Sequence, residues 1–116
     1  MILVIDDNKD LANIFCAYLN MVHYNAMVVY GGEEGIAAAK AHKPRAILCD
    51  IAMSGVNGYE VARRIRLDDE LKDTYMIAIS GYSSQEDVQR SLDAGFNKHL
   101  CKPVNLQAMK KVLDEC

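Results

Sequence analysis

Residues 1–8 read MILVIDDN, a short apolar run that ends in two acidic residues and an asparagine. A continuous apolar run of this length is typical of a strand buried on both faces of a parallel sheet. Asn8 is a good N-cap, and apolar residues recur after it at helical spacing. The expected inward-facing residues of this helix are Leu11, Ile14, Phe15, Tyr18, Leu19 and Val22. The stretch therefore predicts a strand followed directly by a helix.

The same alternation of strand and helix continues along the chain. Further apolar runs lie at 24–29, 46–49, 75–79 and 97–101. The later helices are indicated by residues 33–42, an Asn57 cap, a Ser83 and Glu86 capping box that ends at Gly95, and an Asn105 cap. Their expected apolar stripes contain Val61, Ile65, Val88, Leu92, Leu106, Met109 and Val112. Five strand–helix units are too few for an eight-stranded barrel, so we predict an open, doubly wound α/β sheet.

Composition and charge exclude several classes of protein. With 116 residues, 51% hydrophobic and 25% charged, the chain is expected to form one globular domain, 1–116. The net charge of −3 argues against direct nucleic-acid binding through a basic face. No apolar run approaches the roughly 20 residues of a membrane span, and Asp6 interrupts the first one. We therefore expect a cytoplasmic domain without membrane contact.

The cysteines are expected to be buried, reduced thiols. Cys16, Cys49, Cys101 and Cys116 share no CxxC spacing, and the first three lie in apolar stretches. A disulfide or a redox sensor is the less favoured alternative. The three histidines do not fall into zinc-ligand spacing with the cysteines.

Polar side chains end four of the predicted strands. Asp6 and Asp7 follow the first strand, Asp50 the third, Ser80 the fourth and Lys102 the fifth. The carboxyl ends of parallel strands share one edge of a sheet, where ligands bind. Three carboxylates at one place repel one another unless a cation neutralises them, and Mg²⁺ suits such oxygen ligands. Together with a lysine and a hydroxyl, they indicate phosphoryl transfer.

In this order and spacing, the motifs resemble the receiver domain of two-component response regulators. The matching stretches are ILVIDDN at the start, D-x-x-M from Asp50, GYEVARRIR from Gly58, SGYSS from Ser80, DAGF from Asp93 and KPV from Lys102. The resemblance covers nearly the whole chain. It implies a flavodoxin-like α/β fold with a five-stranded parallel sheet in the order 2-1-3-4-5 and five helices.

The resemblance also implies a role for each acidic residue. Asp50 matches the phosphoacceptor, which takes a phosphoryl group from a phosphohistidine on a histidine kinase or a histidine phosphotransfer domain. Asp7 resembles the direct Mg²⁺ ligand, and Asp6 completes the acidic pocket, often through water. Asp50 and the backbone oxygen of Ala52 are the other implied ligands.

The remaining positions belong to the implied switch. Lys102 resembles the lysine that pairs with the phosphoryl group, and Ser80 the hydroxyl that moves towards it. The Lys102–Pro103 bond is expected to be cis. Tyr82, His99 and Pro103 are assigned to the switch and partner face, whose output is a downstream effector or the rest of the same chain. Met109 is a further candidate for that face, although a core position is favoured for it.

Two positions depart from the family pattern. Ser54 stands where proline is common, which predicts a looser loop. His99 stands three residues before Lys102, where a switch aromatic is common. An imidazole at that position could make the output sensitive to pH.

Several alternatives remain open at this point. A Mg²⁺-dependent phosphatase of the haloacid-dehalogenase type needs an acid two residues after its nucleophile, and Asn8 stands there. A phosphorylation-independent pseudo-receiver would be marked by the loss of Asp50, of Lys102 or of one of the other acids, and this sequence keeps all of them. The chain could be a free-standing regulator or a domain of a hybrid sensor histidine kinase, and the stretch GFNKHLCKPVNLQAM slightly favours the hybrid kinase.

Overall fold

The computed structural model describes the whole chain, Met1–Cys116, as a parallel sheet covered by helices on both faces. The strands are β1 (Ile2–Ile5), β2 (Ala26–Val29), β3 (Ala46–Asp50), β4 (Tyr75–Ser80) and β5 (Lys98–Cys101). The helices are α1 (Lys9–Met21), α2 (Gly32–His42), α3 (Gly58–Leu67), α4 (Gln85–Ala94) and α5 (Leu106–Asp114). The strand order is β2-β1-β3-β4-β5, so the predicted fold and order are confirmed.

The two faces of the sheet each carry their own hydrophobic core. Leu3 and Ile5 of β1 face one core, which α2 and α3 cover, and Ile2 and Val4 face the other. Phe15 of α1 and residues of α5 close the second core. Successive strand residues point to opposite faces, so a strand between two cores must be apolar at every position. This is the physical reason for the unbroken apolar runs in the sequence.

The predicted asparagine caps are all present. The side-chain oxygens of Asn8, Asn57 and Asn105 each accept a hydrogen bond from a backbone N–H in the first turn of α1, α3 and α5. None of the five helices combines the length and the apolar character that crossing a membrane would require.

The capping box of α4 lies one residue later than predicted. Ser84 and Asp87 exchange the reciprocal hydrogen bonds, rather than Ser83 and Glu86. Both pairs have the same spacing. Because α4 begins at Gln85, Ser84 is its N-cap and Asp87 is the residue that can complete the box. Gly95 ends this helix as predicted, with a φ of 122° that side chains rarely adopt.

Two apolar residues predicted to face inward are instead exposed. Ile14 is 53% exposed and Leu92 is 41% exposed. The buried stripe of α1 runs through Ala12, Phe15 and Leu19, so its centre is rotated away from Ile14. One residue corresponds to roughly 100° of helix rotation, and packing on the sheet decides which residues face it. In α4 the fully buried residue is Ser91, the immediate neighbour of Leu92.

The cysteines are free thiols, but only Cys49 is buried. Cys16 is half-buried, and Cys101 and Cys116 are exposed, which corrects the prediction of buried thiols. Cys101 is exposed because β5 is an edge strand, whose outer side no further strand covers.

Arg66 anchors the end of α4 to its surroundings. Its guanidinium donates to the carbonyl oxygens of Gly95 at 2.9 Å, Lys72 at 2.7 Å and Thr74 at 2.6 Å, and to the side-chain oxygen of Asn97 at 2.8 Å. Burial lowers the pKa of Arg66 below its usual range. The C-terminal end of α4 is therefore tied to α3 and to the start of β4.

Candidate functional site

The carboxyl ends of four strands bring together the polar residues that the sequence analysis singled out. Asp6 and Asp7 directly follow β1, and Lys102 follows β5. Asp50 and Ser80 are themselves the last residues of β3 and β4. Because β1, β3, β4 and β5 are consecutive neighbours in a parallel sheet, these side chains share one edge.

The acidic cluster consists of Asp6, Asp7 and Asp50. Each carboxylate offers one oxygen that lies within 4.8 Å of the other two. Asp6 is 2% exposed and Asp50 is 3% exposed, whereas Asp7 is open to solvent. Asp6 Oδ2 and Asp50 Oδ1 are buried without a hydrogen-bond donor. Buried carboxylate oxygens without donors are costly, so the donor set fits a hard divalent cation such as Mg²⁺.

Burial raises the pKa of Asp6 to about 6. The backbone N–H of Asn8, which donates to Asp6 Oδ1 at 2.9 Å, opposes this shift, and the charge of Asp50 adds to it. The cluster is therefore electrostatically strained at neutral pH when no cation is bound.

We expect Asp6 to lower the free energy of unfolding of the metal-free protein as the pH rises from about 4 to about 6. Within this window the folded state keeps the Asp6 proton that the unfolded state has lost, so a rise in pH favours unfolding. The loss amounts to about 2–3 kcal/mol. Urea unfolding in the presence of a chelator, at pH 4 and pH 7, measures it.

Asp6→Asn is the comparison for this prediction, since the amide keeps an acceptor for the Asn8 N–H. It should be more stable than the natural chain at pH 7, and the difference should shrink towards pH 4. Parallel pH profiles of the two proteins would contradict the assignment.

Lys102 supplies the positive charge of the site. Its Nζ lies 3.0 Å from Asp50 Oδ1, close enough for an ion pair but not aligned as a hydrogen-bond donor. The ammonium is partly exposed, whereas the carboxylate is almost fully buried. An incoming anion therefore meets the Lys102 ammonium beside Asp50, the buried acid that is the last residue of β3.

Ser80 is buried at the end of β4, and its Oγ accepts a hydrogen bond from the backbone N–H of Tyr82 at 2.9 Å. This bond holds the loop between β4 and α4 against the site.

The loop after β3 is tied to the acidic cluster. The backbone N–H of Ser54 donates to Asp7 Oδ2 at 3.1 Å. A proline at this position has no N–H and could not form this bond. The loop leads into α3, whose first residue lies so close to β3 that a Cβ on Gly58 would lie 2.6 Å from the Asp50 carbonyl oxygen. Ser54 therefore gives the loop a hydrogen bond to Asp7 that proline could not form.

A groove of about 600 Å³ leads away from the acidic cluster, between the loop after β3 and the start of α4. Asp7, Ala52 and Tyr82 are among the residues that line it. Arg90 and Tyr59 also line it, and the guanidinium of Arg90 lies over the ring of Tyr59, 4.2 Å from the centroid. The site is open enough to admit a small phosphoryl donor or a side chain of a partner.

The residues assigned to the switch face differ in exposure. Tyr82 is 67% exposed, His99 is half-buried and Pro103 is exposed, and the Lys102–Pro103 bond is cis as expected. Met109 is fully buried in the core, where the sequence analysis placed it by preference.

Sequence reasoning missed four residues that form contacts in this region. They are the Ser54 N–H, the stacked Arg90 and Tyr59, and Ser91, which lies against His99. No pattern in the sequence marks them, because each contact joins residues from different elements.

Comparison with known proteins identifies the class of domain to which this open, doubly wound sheet, with acids and a lysine at its carboxyl edge, belongs. Residues 2–114 match the model of the response regulator receiver domain, and the chain belongs to this family. It is 27% identical over 105 residues to the polar-differentiation response regulator DivK of Brucella anthropi. This match covers 90% of this chain and 85% of DivK.

Solved structures agree with this assignment. The receiver domain of the sensor histidine kinase PA1611 from Pseudomonas aeruginosa, which has a magnesium ion coordinated in its active-site cleft, matches with a TM-score of 0.90. The two are 27% identical, and the match covers 98% of this chain and 93% of the other. The chemotaxis protein CheY4 of Vibrio cholerae shares the fold, with a TM-score of 0.93 at 24% identity and coverage of 98% and 95%.

Proposed function

We propose that this receiver domain is a phosphoacceptor in a two-component phosphorelay, with Asp50 as the acceptor. The observation that carries the proposal is the buried, donor-free Oδ1 of Asp50. It lies 3.0 Å from the Lys102 ammonium, and oxygens of Asp6 and Asp7 lie within 4.8 Å of the Asp50 carboxylate. A buried nucleophilic oxygen with cation-binding groups on both sides suits transfer of a highly charged group.

The bound cation would be held by Asp6, Asp7, Asp50 and the backbone oxygen of Ala52. When bound, Mg²⁺ would neutralise the carboxylates and stabilise the charge on the transferring phosphoryl oxygens.

In the proposed reaction, a carboxylate oxygen of Asp50 attacks the phosphorus of a phosphohistidine. The new O–P bond forms as the P–N bond breaks, and the imidazole, protonated on its other nitrogen, leaves with the electron pair. Lys102 pairs with a phosphoryl oxygen as this charge leaves the donor. Ser80 Oγ supplies a hydrogen-bond donor to another phosphoryl oxygen.

The donor partner is proposed to be a histidine kinase or a histidine phosphotransfer domain. Ile14 and Met21 form an exposed apolar stripe on α1, which begins two residues after Asp7. A helical partner lying along this stripe would place its phosphohistidine at the acidic cluster. Small phosphoryl donors such as acetyl phosphate need no such surface. Phosphorylation by them therefore tests the chemistry of the site separately from the docking of a partner.

The output is proposed to be a change in partner binding rather than turnover of a substrate. The target would be a downstream effector or further residues of the same protein, such as the body of a hybrid histidine kinase. Within residues 1–116 we propose a single receiver unit that assists its own phosphorylation and dephosphorylation.

Incubation with Mg²⁺ and acetyl phosphate tests the proposed function directly. We expect intact mass to rise by one phosphoryl group, to give an adduct that is stable in acid and labile in base. A chelator should prevent this change, because the carboxylates then repel the donor.

The other classes of protein give different outcomes in this assay. An unchanged mass would favour a phosphorylation-independent interaction module. Continuous release of phosphate from many phosphate esters would favour the phosphatase. The proposal stands only if the adduct forms once per chain and depends on the cation.

A further inference from the structure

Arg90 of α4 is an arginine whose hydrogen-bond donors are free. Acidic residues stand three and four positions earlier on the same helix, at Asp87 and Glu86, where an ion pair with an arginine is common. Asp87 is instead engaged with Ser84 in the capping box, and Arg90 pairs with neither acid. Its side chain crosses to α3, where the guanidinium lies 4.2 Å from the centroid of the Tyr59 ring.

The contact with Tyr59 prepares the guanidinium to receive an anion. A cation–π contact holds the charge over the ring and uses none of the five N–H donors. The planar fork of these donors matches the two oxygens of a carboxylate. A mobile surface arginine loses side-chain entropy when it binds such a group, whereas the ring already restricts Arg90.

Arg90 and the acidic cluster share one groove. Asp7, Asp87 and Arg90 all line the groove of about 600 Å³, and Arg90 is the one cation among its lining residues. The carboxylates of the groove repel any anion that enters without a cation. A partner that reaches the acidic cluster through this groove can therefore place an acidic side chain favourably only at Arg90.

We propose that Arg90 is a specificity-determining residue for the phosphodonor protein, and that it pairs with a carboxylate which this partner carries near its phosphohistidine. Tyr59 is the positioning residue for Arg90. The inference rests on the proposed function, because the partner enters the groove in order to reach Asp50.

The contact at Arg90 is separate from the exposed stripe of α1. Helices α1 and α3 cover opposite faces of the sheet, so the stripe and the Tyr59–Arg90 pair lie on different sides of the site. A donor that contacts both is fixed in one orientation over Asp50. Glutamate and aspartate are the anions that a protein partner presents, which is why the proposal names a carboxylate.

The first experiment does not depend on phosphorylation. Its probe is a synthetic helical peptide with one histidine and with glutamates one, two and three turns away, compared with the same peptide carrying glutamines. The glutamate peptide should shift the Nε–Hε resonance of Arg90 in a ¹⁵N spectrum, and the glutamine peptide should not. Arg63, an exposed arginine of α3 outside the groove, is the internal control and should respond to neither. Equal shifts of Arg90 with the two peptides, or no shift with either, would overturn the inference.

The second experiment measures transfer from the same two peptides after phosphorylation of their histidine. On the natural chain the glutamate peptide should label Asp50 about threefold to tenfold faster than the glutamine peptide, the effect of one charge-assisted pair at a partly exposed site. In Arg90→Gln this ratio should fall to about one, as expected for loss of the pair. In Tyr59→Leu, which keeps an apolar side chain, the ratio should also fall. Each ratio compares two peptides on one protein, so a general loss of stability does not imitate the result.

Arg63→Gln is the matched control, because it removes the same charge from an exposed arginine outside the groove. Its ratio should equal that of the natural chain. An unchanged ratio in Arg90→Gln, or an equal fall in Arg63→Gln, would overturn the inference. Failure of acetyl phosphate to label the natural chain would instead contradict the proposed function, while the first experiment still decides whether Arg90 recognises a carboxylate.

Discussion

Asp50→Asn is expected to abolish the phosphoryl adduct that acetyl phosphate and Mg²⁺ give on the natural chain. The amide is nearly isosteric with the carboxylate but has no anionic oxygen to attack phosphorus. The neighbouring acids do not replace it. Asp6 Oδ1 already accepts the Asn8 N–H, and Asp7 lies open to solvent with one oxygen bonded to the Ser54 N–H. Intact mass spectrometry and peptide mapping measure the loss.

Two controls show that the loss reflects chemistry rather than unfolding. Asp10→Asn makes the same change at an exposed position of α1 and should be labelled normally. Asp50→Asn itself removes one of three crowded charges, so in metal-free buffer at pH 7 it should unfold at a urea concentration no lower than the natural chain. An adduct of undiminished size on Asp50→Asn would refute the assignment of the acceptor.

Lys102→Met should slow phosphorylation by acetyl phosphate by about 10²- to 10³-fold, the usual effect of removing one group that stabilises transition-state charge. The ammonium lies 3.0 Å from Asp50 Oδ1 and is the one cation in contact with that buried acid. Methionine keeps the length and apolar stem of the side chain, so packing should change little. The rate of adduct formation at saturating Mg²⁺ is the measurement.

Lys98→Met is the matched control, since Lys98 lies exposed on β5, the strand that Lys102 follows. It removes the same net charge from the molecule without altering the site, and its rate should stay close to that of the natural chain. Equal slowing in the two variants would mean that overall charge attracts the donor. In that case Lys102 would have no particular role.

The sequence was a good guide wherever a structure depends on neighbouring residues. The apolar run before Asp6 predicted β1, and Asn8, Asn57 and Asn105 cap their helices because a cap is satisfied within one turn. Prediction was wrong where a helix could rotate or start one residue later. Ile14 and Leu92 are exposed for the first reason, and the capping box of α4 moved for the second.

The candidate site divides in the same way. That Asp50, Ser80 and Lys102 lie at strand ends follows from the sequence, because an apolar strand buried on both faces stops where polar residues begin. The strand order came from family resemblance rather than from the residues. Only the tertiary structure decides that β1 and β3 are neighbours, which buries Asp6 beside Asp50, and this burial raises the pKa of Asp6.

By itself, therefore, the sequence determined the alternation of strands and helices, the polar residues at the carboxyl edge and the chemistry they suit. The tertiary structure decided which face each helix buries, the bond from Ser54 to Asp7, and the contact between His99 and Ser91. The physical reason is the distance along the sequence between the residues in contact. Strand and helix patterns arise from contacts within a few residues, whereas these bonds depend on loops that close only after the sheet has assembled.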